Sequence, residues 1–305
     1  VLFALAASDL IVGVSNDAVN FLNSAIGSKA APRWIVFGMA AVGILVGSIF
    51  SSGMMEVARK GDFHPEAFFF SEIMVIFLAV MITDVILLDL FNTFGFPTST
   101  TVSLVFELLG SAVAVSLTKM RLAGEAASEI SKYINSEKAL LIIAGILLSV
   151  VIAFTIGAII QWVTRLLFSF RYEKRINRFG AIYGGLSIAI ITYFIFGTGM
   201  KDAAFMPKET STYIINHLFS LIAISFVVWT VILQILYWLF KIDILKIVVL
   251  FGTFALAMAF AGNDLVNFIG VPLAGFASFK AWVASGLSPD AFTMEMLAGK
   301  VQTPT

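Results

Sequence analysis

The chain has 305 residues, of which 60% are hydrophobic and only 12% are charged, and its mean hydropathy is +1.00. Soluble domains carry roughly 25% charged residues, so this composition excludes an ordinary soluble globule. The net charge of zero argues against a nucleic-acid partner, and the absence of cysteine excludes a disulfide framework and a thiolate metal site.

Eight apolar stretches are long enough to cross a membrane, which takes about 20 residues. In chain order they lie near residues 1–27, 35–55, 67–92, 98–118, 139–168, 179–200, 212–240 and 244–269, and a partial ninth lies near 272–283. The stretches are apolar on all faces, whereas the strands of a membrane barrel are about 10 residues long and alternate. The sequence therefore predicts an all-α integral membrane protein, a polytopic helical bundle.

A six-residue pattern, Asn-Asp-x-Val-Asn-Phe, occurs at residues 16–21 and again at 263–268. Each copy lies inside an apolar stretch and has a glycine nearby, Gly13 or Gly262. Seven predicted spans separate the copies, and an odd number places them in opposite orientations across the membrane. This arrangement is typical of inverted repeats with discontinuous helices, whose sites lie near the midplane. We therefore predict a first inverted repeat over 1–118, connecting transmembrane helices over 119–240 and a truncated second repeat over 241–305.

Several acidic side chains lie well inside the apolar stretches, whereas the lysines and arginines lie in or beside connections. The acids are Asp17, Asp84, Asp89, Glu107 and Asp264. A carboxylate in hydrocarbon must bind a proton or a cation when no basic side chain is available. Carboxylate and amide oxygens suit a hard cation such as Na⁺. Asp84, Asp89 and Glu107 could equally be neutral acids or face a water-filled cavity.

A polar stretch, Asn-Thr-Phe-Gly-Phe-Pro-Thr-Ser-Thr-Thr, occupies residues 92–101 between the third and fourth apolar stretches. Proline fits the first turn of a helix, and the hydroxyl run adds donors beside the N–H groups of that turn. A helix N-terminus of this kind favours an anion such as phosphate or a carboxylate. An ordinary Ser or Thr cap is the alternative reading of this stretch.

Together, the two Asn-Asp motifs and the Pro-Thr-Ser-Thr-Thr run at 97–101 resemble the inorganic phosphate transporter (PiT) family of sodium- or proton-coupled permeases. The resemblance implies symport of phosphate with Na⁺ or H⁺ by alternating access, without an organic cofactor. It implies phosphate binding by Asn16, Asp17, Thr98, Ser99, Thr100, Thr101, Asn263 and Asp264. It also implies cation binding, with Na⁺ as a candidate, by Asp17, Asn20, Asp264 and Asn267. The expected location is the cell membrane, as a multi-pass protein in the lipid bilayer, with a homodimer as one expected assembly.

The sequence also departs from the pattern of that family. The family usually has histidine after the Ser/Thr run, where this chain has Val102, and Asn23 and Ala25 replace the usual Gly and Ser. These departures leave open a permease for a related oxyanion such as sulfate. Because the chain starts at Val1, we expect a piece of a longer polypeptide whose second Ser/Thr motif follows Thr305.

Two other classes of function are less well supported by the sequence. A membrane-embedded enzyme would need an acid and a base together, but His64 and His217 lie away from the motifs, so no catalytic residue is predicted. An ion channel would need a continuous polar pore.

Overall fold

The computed structural model describes residues 1–50, 63–168, 175–195 and 208–298. Within these ranges every element of regular secondary structure is a helix. The α-helices are α1 (Leu2–Gly27), α2 (Arg33–Phe50), α3 (Phe70–Phe94), α4 (Thr100–Ala123), α5 (Ser136–Leu167), α6 (Ala181–Tyr193), α7 (Lys208–Asn216), α8 (Leu218–Phe240) and α9 (Ile244–Ser285). Short 3₁₀ helices cover Pro65–Ala67, Ala127–Lys132 and Glu295–Ala298, and a π-helical turn covers Ile176–Gly180. The predicted all-α class is confirmed.

Six of the described helices are long and apolar enough to cross a membrane, and α2 is a shorter apolar helix. Four predicted stretches match α1, α3, α4 and α5 to within a few residues. The stretch predicted at 212–240 is instead two helices, because the backbone leaves helical geometry at His217. The predicted ends at 55 and 200 lie outside the described residues.

The helix breaks expected at the Asn-Asp motifs are absent from both described helices. Helix α1 is continuous through residues 16–21, and α9 continues for 42 residues through the second motif and past Pro272. The expectation of discontinuous helices at these two motifs was therefore wrong, and the predicted eighth and ninth stretches form one helix. Inside the helix, Pro272 cannot donate a backbone hydrogen bond, so the carbonyl of Phe268 lacks its usual helical donor.

A tight turn connects α3 to α4. Gly95 ends α3 in the left-handed conformation with φ of 68°, where its N–H donates to the carbonyl of Asn92. The N–H of Phe96 donates back to the carbonyl of Phe91 over 2.8 Å, which closes the cap in the manner of a Schellman motif. Helix α4 begins at Thr100, with Ser99 as its N-cap, so Pro97 precedes the helix and does not lie in its first turn as predicted.

The first compact unit contains the described residues of Val1–Asp17, Gly53–Leu147 and Asn263–Thr305. Its apolar core joins α3 and α4 to the chain segments beside them, through side chains such as Phe68, Ile76 and Leu108. A partly buried ion pair joins Lys119 Nζ to Glu72 Oε2 over 2.8 Å. This unit holds most of the predicted site residues.

The second compact unit contains the described residues of Ala18–Ser52 and Leu148–Gly262. Within it α6 lies close against α8, because Gly185 faces the backbone of Thr230. The hydroxyls of Thr192 and Ser225 share a hydrogen bond of 3.0 Å between the same two helices. The predicted division of the chain at 118 and 240 stays a prediction.

Candidate functional site

The first Asn-Asp motif holds the turn between α3 and α4. The Nδ2 of Asn16 donates to Asn92 Oδ1 over 2.9 Å and to the carbonyl of Phe96 over 3.0 Å. Its Oδ1 accepts from the N–H of Thr98 over 3.2 Å. One amide therefore fixes both the end of α3 and the chain that leads into α4.

Asn92 is a second amide in this network that the site prediction missed. Its Nδ2 donates to the carbonyl of Val12 over 2.9 Å, one turn before the motif in α1. The side chains of Asn92 and Asn16 therefore hydrogen-bond α1 to the end of α3. The available signal was an amide at the very end of an apolar helix, directly before the polar turn.

The hydroxyl of Thr101 joins the Ser/Thr run to the second Asn-Asp motif. Thr101 Oγ1 donates to Asp264 Oδ1 over 3.1 Å. It also accepts from Asn267 Nδ2 over 2.9 Å. The side chain of Asn267 is buried, and both hydrogen bonds are partly buried within the unit. Residues 163 and 166 positions apart in sequence thus meet at one hydroxyl.

The two acids of the repeated motif, Asp17 and Asp264, lie close enough to repel each other. Asp17 is buried, and the charged groups that act on it most strongly are the carboxylates of Asp264 and Asp84. Like charges in a medium of low dielectric constant are costly unless a cation lies between them. The site thus concentrates negative charge at the point where the two motifs meet.

The first turn of α4 supplies hydroxyl groups beside these acids. Ser99 is exposed, and its Oγ accepts from the N–H of Val102 over 3.4 Å. Thr98 is half-buried, whereas Thr100 is buried and its Oγ1 has no hydrogen-bond partner among the described residues. A buried hydroxyl without an acceptor can donate to an oxyanion placed there.

Helices α1 and α9, which carry the two motifs, run antiparallel within the first unit. The rings of Phe3 and Phe276 have centroids 5.9 Å apart, and Gly13 lies directly against the ring of Phe268. Moving forward along α1 therefore means moving backward along α9. In the second unit, Phe21 of the first motif packs against Phe260 with centroids 5.4 Å apart. The copies point in opposite directions, while inverted repeats over whole halves of the protein stay a prediction.

Two further predicted site residues belong to the same two motifs, Asn20 and Asn263. Asn20 is an exposed residue of the second unit. The backbone of Asn263 is helical, but its side chain lies outside what the structure describes. Among the other predicted intramembrane acids, Asp89 is exposed, whereas Asp84 is buried together with Asp9, an acid that the sequence prediction missed.

Comparison with known proteins gives a consistent result. The sequence profile described as the phosphate transporter family matches residues 13–299. Over 103 residues the chain is 33% identical to a sodium-dependent phosphate transporter of Toxoplasma gondii (strain ATCC 50861 / VEG). That stretch is 33% of this chain and 12% of the relative, so the chain spans only a small part of the relative's length.

A solved structure described as the sodium-dependent phosphate transporter has the same fold. It superposes with a TM-score of 0.65 at 20% sequence identity, covering 97% of this chain and 71% of that chain. At this identity the likeness concerns the helical fold, which agrees with the predicted membrane bundle.

Proposed function

Because the chain belongs to the phosphate transporter family, we propose that it carries inorganic phosphate across a membrane by symport with Na⁺. The observation that carries this proposal is the bond pair at Thr101, which joins the Ser/Thr run of α4 to Asp264 and Asn267 of α9. Donors for an oxyanion and acceptors for a cation thereby lie in one place. The family is one of transporters, which fits the prediction of transport and not catalysis.

The proposed phosphate ligands are the residues at the start of α4. The first N–H groups of a helix have no partner within the helix, and the positive end of the helix dipole favours an anion. The buried hydroxyl of Thr100 adds a donor, and Thr98 and Ser99 add two more hydroxyls. The Thr101 hydroxyl donates its proton to Asp264, so Thr101 would contribute to phosphate binding through its backbone N–H. Asn16 would act mainly by positioning this run, since its amide already bonds to the turn on both sides.

The proposed cation site uses Asp17, Asp264 and Asn267. Asn267 turns its amide nitrogen to Thr101, so its oxygen lies on the opposite side of the amide, where it can coordinate a cation. Two carboxylates and an amide oxygen are hard ligands of the type that Na⁺ prefers. The sodium-dependent relative supports Na⁺ as the coupling ion. Asn20 remains a proposed cation ligand, and Asn263 remains a proposed phosphate ligand.

The negative charges of Asp17 and Asp264 explain why sodium would bind before phosphate. With both carboxylates ionised and no cation present, an approaching phosphate is repelled by Asp17 and Asp264. Once sodium binds, the local charge is cancelled and phosphate can occupy the helix end. Movement of one repeat against the other then opens the opposite side of the membrane.

We also propose that this multi-pass protein lies in the cell membrane and that it assembles as a homodimer.

The test is radiolabelled phosphate uptake into vesicles that contain the full-length protein, with sodium and proton gradients imposed separately. We expect sodium-driven uptake in the wild type and a fall to the level of empty vesicles in Asp17→Asn and Asp264→Asn, because each amide keeps the size but removes the charge. Asp89→Asn is the matched control, since Asp89 is an exposed acid of α3, and it should transport normally.

The same assay separates the competing functions. Sulfate that abolishes phosphate uptake when it is present at the same concentration as phosphate would point to a different oxyanion substrate. Uptake that does not saturate, or that shows no fixed ratio to sodium, would indicate a channel. Unchanged uptake in either Asp17→Asn or Asp264→Asn would refute the cation site.

A further inference from the structure

Three acidic side chains meet inside the first unit, away from the proposed phosphate ligands. They are Asp9 of α1, Asp84 of α3 and Glu107 of α4. Asp9 is 0% exposed and Asp84 is 2% exposed. Glu107 is partly exposed as a residue, but both of its carboxylate oxygens are inaccessible. We call these three residues the acidic cluster.

Five of the six carboxylate oxygens of the acidic cluster lack a hydrogen-bond donor among the described residues. Both oxygens of Asp9, both of Glu107 and Oδ1 of Asp84 are buried without a partner among the described residues. The carboxyls of Asp84 and Glu107 face Asp9, and Asp84 also acts on Asp17. Asp9 and Asp84 also lie within hydrogen-bonding reach of each other. Among the described residues, the charged groups that act most strongly on the cluster are all acidic. Ionised carboxylates buried in this way are very costly without a positive partner.

On each of its three helices, the acidic cluster lies about two turns away from a residue at the proposed phosphate site. Asp9 precedes Asn16 by seven residues, Asp84 precedes Asn92 by eight, and Glu107 follows Thr101 by six. At 1.5 Å per residue these spacings correspond to about 9–12 Å along each helix. The same three helices thus form the phosphate site at one level and the acidic cluster about two turns away.

A cavity connects the two levels along α3 and α4. It has a volume of about 560 Å³ and is lined by Thr98 at the entrance to α4 and by Glu107 farther along. Ser103 and Ser111 of α4 and Thr83 of α3 add hydroxyl groups to its wall. Glu107 therefore borders this cavity, although its two carboxylate oxygens are not accessible from it.

From this geometry we propose that Asp9, Asp84 and Glu107 form a proton-binding site that is distinct from the sodium and phosphate ligands. Each proton-binding step converts one carboxylate and one hydrogen ion from the aqueous solution into a carboxylic acid. No other reactant takes part. A proton is favoured over a metal ion because no group of three acidic or histidine side chains among the described residues is arranged to hold a metal. A proton needs only two facing oxygens.

Protonation of the cluster would act on transport through Asp84. A neutral Asp84 removes one of the two carboxylate charges that act most strongly on Asp17, and so lowers the negative potential that phosphate meets. The inference rests on the proposed function for this effect on phosphate, but proton binding itself does not depend on it. We therefore expect phosphate uptake by the full-length protein to increase as the pH falls.

The test combines infrared titration of the purified full-length protein with uptake measured as a function of pH. In saturating sodium, where Asp17 and Asp264 are engaged by the cation, we expect a carbonyl band of buried protonated carboxyl groups. The band should lose intensity in Asp9→Asn, Asp84→Asn and Glu107→Gln, and stay unchanged in Asp89→Asn. The ratio of uptake at acidic pH to uptake at alkaline pH should fall towards one in the three cluster variants.

Failure of this inference can be told apart from failure of the transport proposal. A wild-type band with no phosphate uptake would refute phosphate transport and support the proton site. The proton site is overturned if the wild type shows no such band, or if the band is unchanged in the cluster variants. If Asp9→Asn and Asp84→Asn do not fold, Glu107→Gln alone tests the proton site. This variant is expected to fold because Glu107 is partly exposed.

Discussion

At the scale of single residues, Thr101 is the contact between the two parts of the site. Its hydroxyl donates to Asp264 and accepts from Asn267, and both partners belong to the second Asn-Asp motif. A hydrogen bond to a charged group contributes roughly 1.5–3 kcal/mol. Loss of this hydroxyl should therefore disturb the carboxylate on which the proposed cation binding depends.

We predict that Thr101→Val weakens sodium-dependent phosphate binding by roughly tenfold or more, since about 1.4 kcal/mol corresponds to a factor of ten in affinity. Valine has nearly the shape of threonine but lacks the hydroxyl. Thr101→Ser keeps the hydroxyl and should bind almost as well as the wild type. Equal affinity in Thr101→Val and wild type, measured by calorimetry on the full-length protein, would remove Thr101 from the site.

Residue patterns predicted some parts of this site and missed others. The repeated Asn-Asp motif indicated Asp17 and Asp264 because acids in apolar stretches need a partner. Asn92 and Asp9 were missed because neither belongs to a repeated motif, and their partners are known only from the folded chain. The bond from Asn92 to Val12 joins positions 80 residues apart, which no local pattern encodes.

At the scale of helices, the crossing of α1 and α9 explains the glycine before the first motif. The first motif, with Gly13 nearby, was expected at a helix break because of the inverted repeat, yet α1 is continuous. Gly13 instead allows the ring of Phe268 to lie against the backbone of α1. Glycine for close approach and glycine for a helix break look identical in sequence, which is why the break was predicted wrongly.

We predict that Gly13→Ala destabilises the protein by about 1–3 kcal/mol, the usual cost of an extra methyl group in a packed interior. An added Cβ would overlap the ring of Phe268. Gly38→Ala is the control, because a Cβ at that helical position meets nothing within 4 Å. Thermal unfolding in detergent should show a lower Tm for Gly13→Ala only. A Tm equal to that of the control would mean that the two helices do not pack closely there.

At the scale of the whole molecule, composition and segment length predicted the class of the protein better than its helix boundaries. Apolar stretches of about 20 residues fix an all-α membrane fold because unpaired backbone groups are too costly in lipid. They do not fix where one helix ends, so residues 212–240 proved to be two helices and α9 proved to be one. Continuity across Pro272 depends on contacts between helices, which a sequence pattern does not show.

Phosphate binding as proposed here depends on sodium, which makes room for the anion at a site built from both Asn-Asp motifs. Its most direct test is the binding of radiolabelled phosphate to the purified full-length protein at increasing sodium concentration, with choline as the replacement ion. We predict that phosphate affinity rises with sodium in the wild type, and that Asp264→Asn shows no such rise. Equal phosphate affinity in sodium and in choline for the wild-type protein would contradict sodium-dependent phosphate binding at this site.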